Sequence, residues 1–323
     1  MKKYILLYGD KKPEDNICIN NMFENTRQIK LGWTELDYNE NMKTIEDSIR
    51  DGIDEIIVSG LEIGWDKMII NTRKKHPDIK IKVICNTQDS LLYYEYERKN
   101  FFKLLELSKK NIIDDIAFLR KGQYETYKSL GYKCSYLKEN FILQEENKID
   151  TKRNDNKIQI GIYPLNYTWD KNIFNQLCIG KFVDNCNLNY NCLDERMKEF
   201  LNTMEIPNIA GKIEKVEEKE IIKEIIKNDV IISAAFTEYM HPIFFISMEL
   251  GIPCLIGNNS DIFEKDEELK KYIVTSTEDN AIINSKMIIE ILNNKEKIKE
   301  LYKEWKIKYN KEAQESIERF IEK

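Results

Sequence analysis

The residues best equipped for chemistry lie in one stretch, 229–259, of the 323-residue chain. An apolar run, Asp229-Val230-Ile231-Ile232-Ser233, leads through Ala234-Ala235-Phe236-Thr237 to Glu238. His241-Pro242 then opens a second apolar run that ends at Gly251-Ile252-Pro253. The pattern predicts a buried strand, a short loop, and a helix with proline in its first turn, where the missing N–H costs nothing. Such a helix aims free N–H groups and the positive end of its dipole out of the strand end, a ready site for a diphosphate. Beside it stand Thr237 and Glu238, whose carboxylate can accept charge-assisted hydrogen bonds from sugar hydroxyls. His241 shares the loop, and the turn Asn258-Asn259-Ser260 after the next strand adds donors. An earlier counterpart is Trp169-Asp170-Lys171-Asn172, which follows an apolar run at 158–163 and brings a cation, Lys171, with Asn172 next to it. Each residue also has a plainer reading. Glu238 can be a surface carboxylate, His241 a capping or packing residue, and Lys171 a solvated lysine at a helix start.

The elements that must position these groups follow from periodicity. In the first half, strands are expected at 4–8, 54–60, 79–85, 116–119 and 133–137. Helices are expected at 41–50, up to His76-Pro77, at 90–109 and at 124–130. In the second half, strands are expected at 158–163, 188–191, 208–210, 229–233, 253–256 and 272–275, with a helix at 217–227. Strand–helix alternation implies parallel sheets covered by helices on both faces. The nearly all-polar segment 144–157 reads as an interdomain linker. The expectation is therefore α/β, with two Rossmann-like domains, 1–150 and 151–323, facing a cleft in which ligands meet the carboxyl ends of the strands. The chain closes in a long helix, 295–322, whose stripe Ile298, Leu301, Tyr302, Trp305, Tyr309, Ala313, Ile317, Phe320 and Ile321 should lie against the body. A short self-associating coiled coil is the alternative.

Composition narrows the function classes. Hydrophobic residues make up 42% of the chain, enough for packed cores, and a net charge of −6 lacks the basic excess that phosphate-backbone binding requires. Nucleic acid is thus not an expected partner. No apolar run reaches the ~20 residues of a spanning helix, which still leaves room for a peripheral membrane contact. Residues 4–8 read as a first strand rather than the start of a signal peptide. Seven dispersed cysteines without a C-x-x-C pair suit reduced thiols in a cytoplasm. His76 and His241 have no flanking carboxylate cluster, so no metal is expected. No G-x-G-x-x-G follows residues 4–8 and no G-x-S-x-G elbow occurs, which disfavours a dinucleotide cofactor and a serine hydrolase. The expected cofactor list is empty.

Together, Ser233-x-x-x-x-Glu238, the Pro-containing helix, Gly251-Ile252-Pro253 and Gly257-Asn258-Asn259 resemble the donor site of group 1 retaining glycosyltransferases of the GT-B fold. That family's motif is two glutamates separated by seven residues, followed by Gly-x-Pro. The first glutamate falls on Glu238 and the second on Ile246, while Glu249 is displaced by three residues and does not inherit the role. Lys171-Asn172 is similar to the family's lysine step at the donor phosphates, although the arginine that often precedes it is missing and only Tyr163 and Asn166 are nearby. The resemblance covers residues 158–310, with strand–helix order alone over 1–145, and implies a last helix crossing back onto the first domain. It implies metal-independent, retaining transfer from a nucleotide-sugar to a glycan, lipid-linked or protein acceptor, with Glu238 catalytic. Lys171, Asn172, Thr237, His241, Asn258, Asn259 and Ser260 would then be donor-binding. The Lys-, Ile- and Asn-rich composition suggests bacterial surface polysaccharide or glycoconjugate synthesis. Ile246 keeps a non-catalytic GT-B-like subunit open as the alternative, and an epimerase-like enzyme on the same fold as a third.

Overall fold

The computed structural model describes residues 3–9, 22–23, 26–32, 34–62, 64–140, 156–164, 168–190, 195–206, 218–238, 241–259, 261–263 and 267–323. The expected linker and the expected strand at 208–210 lie outside them, apart from the linker's last residues. The chain forms two compact units, Met1–Phe141 with Asn310–Lys323, and Ile142–Tyr309.

In the first unit the elements run β1 Tyr4–Tyr8, β2 Arg27–Lys30, α1 Tyr38–Arg50, β3 Glu55–Ser59, α2 Trp65–Lys75, β4 Lys80–Cys85, α3 Glu95–Lys109, β5 Asp115–Phe118, α4 Lys121–Ser129 and β6 Cys134–Tyr136. The sheet order is β2-β1-β3-β4-β5-β6, with every pair parallel. Central strands such as β3 are buried along their whole length, as a parallel sheet covered on both faces requires. β2 was not anticipated: its sequence, RQIK, holds one apolar residue, and it is an edge strand. The helical stretch expected at 90–109 is broken. A 3-10 turn, Asp89–Tyr93, and α3 meet at Tyr94, whose backbone is extended (φ −78°, ψ 129°).

Inside this sheet β3 and β4 hold an ion pair, Lys82 Nζ to Glu55 Oε1 at 2.9 Å, with both side chains buried. The ammonium also donates to the carbonyls of Phe320 and, at 3.0 Å, Ile321. These carbonyls belong to the last turn of a helix and have no intrahelical partners, so a buried cation satisfies them. Lys323 adds contacts to Asp115 Oδ1 (2.8 Å), the Cys134 carbonyl (3.0 Å) and Ser135 Oγ (3.1 Å).

The second unit runs β7 Ile158–Ile162, a 3-10 turn Trp169–Lys171, α5 Ile173–Cys178, β8 Cys186–Tyr190, α6 Glu195–Thr203, α7 Glu218–Ile225, β9 Val230–Ser233, α8 Pro242–Glu249, β10 Cys254–Gly257, α9 Glu268–Ile273, β11 Val274–Thr275, α10 Ala281–Asn293 and α11 Lys295–Glu322. Its sheet order is β11-β10-β9-β7-β8, again all parallel. The strand expected at 272–275 shrinks to two residues because α9 continues to Ile273. The apolar stripe of α11 is buried at Ile298, Tyr302, Trp305, Tyr309, Ala313, Ile317 and Phe320, with Leu301 and Ile321 half-buried. The stripe thus packs within the chain. As far as Tyr309 it belongs to this unit, where Trp305 packs against Phe244, Phe245 and Phe263. From Asn310 onward α11 belongs to the first unit. Glu249 accepts from Tyr302 Oη (2.7 Å) and pairs with Lys306 (2.6 Å), so its carboxylate is spent holding α8 to α11.

Candidate functional site

The order β11-β10-β9-β7-β8 reverses direction at β7: its chain-order successor lies on one side and β9 on the other. In open parallel sheets the carboxyl ends of two such strands flank a crevice, because their connections leave on opposite faces. Gly161 on β7 permits the close approach of β9. A Cβ there would stand 2.5 Å from Ile231 Cδ1 and 2.8 Å from Asn228 Cγ. The loops after β7 and β9 carry the residues singled out in the sequence.

Lys171 and Glu238, distant in sequence, meet there. Lys171 Nζ lies 2.6 Å from Glu238 Oε1 and 2.8 Å from Oε2, with side-chain exposures of 11% and 12%. The two loops are also tied through the backbone, the Phe236 N–H donating to the Asp170 carbonyl at 2.7 Å. Asp170 itself is buried, and its Oδ1 has no hydrogen-bond partner.

Asn172 is a strut. Its backbone is left-handed (φ 54°), a conformation asparagine tolerates better than most residues. Its Nδ2 donates to the carbonyls of Ala234 (3.0 Å) and Glu278 (2.7 Å), and its Oδ1 accepts from Asn175 (2.5 Å). The amide is therefore fully engaged inside the fold. Asn259 Nδ2 donates to the Ala235 carbonyl (2.5 Å), and the Asn258 N–H donates to Glu278 Oε1 (2.7 Å). Glu278, in the loop before α10, is thus a positioning residue that the sequence did not single out, since no motif marks it. Gly257 lets these loops nest, a Cβ there coming within 2.6 Å of the Ala235 carbonyl.

Pro242 is the first residue of α8, as expected, and His241 is its N-cap without a side-chain cap bond. Thr237 and His241 are buried. Ile246 lies on α8 and is buried as well. Tyr163 turns away from the loops: it accepts from Asn228 Nδ2 (3.1 Å) and donates to the Glu224 carbonyl (3.4 Å), and burial pushes its hydroxyl pKa well up. Ser260 and Asn166 lie outside the described residues. Among the described residues no group of three His, Cys, Asp or Glu side chains is arranged to hold a metal ion, and no helix is long and apolar enough to cross a membrane.

A buried lysine–carboxylate pair at a sheet's switch point, its carboxylate four residues before the first residue of a helix, can serve an anion through the lysine and hydroxyl groups through the carboxylate. Solved structures place the fold. A UDP-forming α,α-trehalose-phosphate synthase from Burkholderia xenovorans superposes with a TM-score of 0.68 at 9% identity, over 99% of this chain and 98% of that one. HepE from Anabaena, solved in complex with UDP, gives 0.67 at 9% identity over 99% and 98%. Sucrose-phosphate synthase from Thermosynechococcus elongatus gives 0.64 at 10% identity over 98% and 94%. These are glycosyltransferases of the GT-B type, and the chain has their fold, two parallel α/β sheets matched over nearly its whole length. No family model matches the sequence, and no curated protein matches it.

Proposed function

We propose that the chain is a glycosyltransferase that moves a sugar from a nucleotide-sugar to an acceptor. The unit Ile142–Tyr309 would hold the donor and the unit built on Met1–Phe141 the acceptor. The observation that carries this reading is the Lys171–Glu238 pair at the carboxyl ends of β7 and β9. Without ligand, each charge is the other's partner. An arriving diphosphate replaces Glu238 as the partner of Lys171 and meets the N-terminal N–H groups of α8. The released carboxylate then accepts hydroxyls of the sugar. In transfer, the bond from the anomeric carbon to the diphosphate oxygen breaks and a bond to an acceptor hydroxyl oxygen forms, while the hydroxyl proton leaves toward the departing nucleoside diphosphate. Lys171 and the helix end stabilise the charge that develops there. The same reading takes the reaction as retaining and metal-independent, in a cytoplasmic protein of bacterial polysaccharide or glycoconjugate synthesis. UDP-sugars are the first donors to try, given the UDP-forming and UDP-bound structures of the same fold.

The test is thermal stabilisation of the full chain by UDP-, GDP- and CDP-sugars, because a ligand that binds only the folded state adds about 2.7 kcal/mol at a hundredfold excess over its Kd. A donor that raises the melting temperature and is turned over with an acceptor is the expected result. Stabilisation without turnover by any acceptor favours the second reading, a non-catalytic subunit. The buried Ile246 at the place of the second motif glutamate supports that alternative.

A further inference from the structure

One polar group in the loops around the Lys171–Glu238 pair has no structural use. Asp170 is 1% exposed, and its Oδ1 has no hydrogen-bond partner among the described residues. Other carboxylates of this unit are spent. Glu278 Oε1 accepts the Asn258 N–H, Glu249 is shared between Tyr302 and Lys306, and Glu238 pairs with Lys171. α8 adds no free acceptor beside them: Ile246 is apolar, and the Ser247 hydroxyl donates to the Ile252 carbonyl at 2.6 Å. The backbone that carries Asp170 is fixed from two sides. The Asp170 carbonyl accepts the Phe236 N–H at 2.7 Å, and the carbonyl of the next residue, Lys171, accepts from Gln176 Nε2 at 2.6 Å. A rigid turn thus holds a carboxylate out of water with an oxygen that the fold does not satisfy. Stability is lost by that arrangement, and a cost of this kind beside a ligand site is one that function, not folding, explains.

We propose that Asp170 is a further specificity-determining residue of this site, accepting the ribose hydroxyls of the nucleotide. The inference rests on the donor-site reading above and adds the group that selects a ribonucleotide over its deoxy forms. A carboxylate only accepts hydrogen bonds, so its partner must bring O–H or N–H groups. The diphosphate has none, and set directly against Asp170 it would meet a like charge. In a nucleotide-sugar, hydroxyls flank the diphosphate on both sides. Those of the transferred sugar fall to Glu238. Those of the ribose lie on the other side of the phosphates that Lys171 holds, a single methylene group away, and the nucleobase lies a whole ribose further. Asp170 directly precedes Lys171 in the same 3-10 turn, so the ribose is the donor-bearing group within its reach.

The ribose hydroxyls can be removed singly. Calorimetry on the full-length protein compares UDP with 2′-deoxy-UDP and 3′-deoxy-UDP, or the same series of GDP or CDP where that is the nucleotide bound. The wild type should bind at least one deoxy form about tenfold more weakly, the lower end for a hydrogen bond to a charged group. In Asp170→Ala the two should bind about equally, and Asp170→Asn, which keeps one acceptor, should fall between. Both variants should melt no lower than the wild type, because they remove a buried carboxylate that the fold leaves unsatisfied, whereas loss of a structural residue would lower the melting temperature. The proposal is overturned if the wild type binds both deoxy forms as tightly as UDP, or if its preference survives in Asp170→Ala. Should Asp170→Ala melt well below the wild type, the milder Asp170→Asn decides, and an undiminished preference there overturns the proposal. A UDP affinity that depends on magnesium in the wild type but not in Asp170→Ala overturns it too, by making Asp170 a metal ligand. The donor reading fails separately, when neither a nucleoside diphosphate nor a nucleotide-sugar binds the wild-type protein.

Discussion

Glu238→Gln should make the protein less stable and yet bind a nucleoside diphosphate more tightly. In the structure the Lys171 ammonium sits 2.6 and 2.8 Å from the two Glu238 oxygens, both groups nearly nine-tenths buried. The amide keeps the shape and one acceptor but removes the counter-charge, leaving a largely desolvated cation. Breaking one side of a fully buried pair costs about 3–5 kcal/mol. The residual exposure and the remaining amide oxygen reduce that to about 1–3 kcal/mol. The same change frees Lys171 for an incoming diphosphate. In the wild type, binding must first break a charge-assisted contact whose net value is about 1.5–3 kcal/mol. With the amide still accepting one hydrogen bond, about half of that is returned to the ligand. UDP without a sugar should therefore bind about 3–15-fold tighter, while transfer from a UDP-sugar falls because no carboxylate receives the hydroxyls. Calorimetry with UDP, melting curves and single-turnover transfer read the three effects. A variant that melts lower but binds UDP no better than the wild type would refute the partner exchange. Lys171→Ala must then lose UDP affinity, and an unchanged affinity would remove Lys171 from the donor site.

Three further outcomes follow from the packing. Lys82→Met strands Glu55 inside the first sheet and leaves the Phe320 and Ile321 carbonyls without their donor, so chemical denaturation should show a loss of about 3–5 kcal/mol. Adding Glu55→Leu should restore part of it, and a double variant no more stable than the single one contradicts the ion-pair account. Gly257→Ala should cost about 1–3 kcal/mol, because its Cβ would fall 2.6 Å from the Ala235 carbonyl. Donor affinity should fall with it, since Ala235 also anchors Asn259. Full burial pushes the Cys254 thiol well above its ordinary value of 9.0. The folded protein therefore keeps a proton that the unfolded chain releases. The associated stability is present below pH 9 and is lost as pH rises from there, by up to about 1.4 kcal/mol per pH unit. Cys254→Ala should flatten that slope, and native Cys254 should resist alkylation at pH 8 while unfolded protein reacts.

The strand–helix order was legible because β1, β3, β4, β7, β9 and β10 are buried runs, most of them dense in Ile, Leu and Val, and such runs have few other homes. α11 was legible to the residue because its stripe runs unbroken from Ile298 to Ile321 along a 28-residue helix. β2 escaped because an edge strand needs little apolar content, and Tyr94 broke a helix that its neighbours' periodicity carried straight through. Within the site, Glu238 and Lys171 could be chosen by type and by place after a strand. Their partnership could not, because it depends on strand order: β9 adds next to β7 rather than next to β8. Glu278 was invisible for the same reason. Its contacts to Asn172 and Asn258 join loops that follow three different strands.

The polar groups around the switch point divide by whether the fold has already used them, and the division bears on mechanism. The side chains of Asn172, Asn259 and Glu278 are committed to carbonyls, amides and N–H groups of neighbouring loops. A ligand that drew on these side-chain groups would have to break those bonds, so what they do in the structure is fix the loops. Lys171 and Glu238 are bonded to each other, and that pair can exchange partners without moving the backbone, provided the ligand brings one group of each kind. A nucleotide-sugar does so: its diphosphate is an anion for Lys171 and its hydroxyls are donors for Glu238. A nucleoside diphosphate alone satisfies the lysine and strands the carboxylate, and a free sugar does the reverse. The pair should therefore favour the intact donor over either product fragment, which is the discrimination a transferase needs at its donor site. Competition among UDP-glucose, UDP and glucose for the wild-type protein tests this. Should UDP-glucose be the bound donor, its affinity should exceed what the fragments predict singly, and in Glu238→Gln the preference over UDP should collapse. A preference that survives the substitution would place the sugar's polar contacts on another residue.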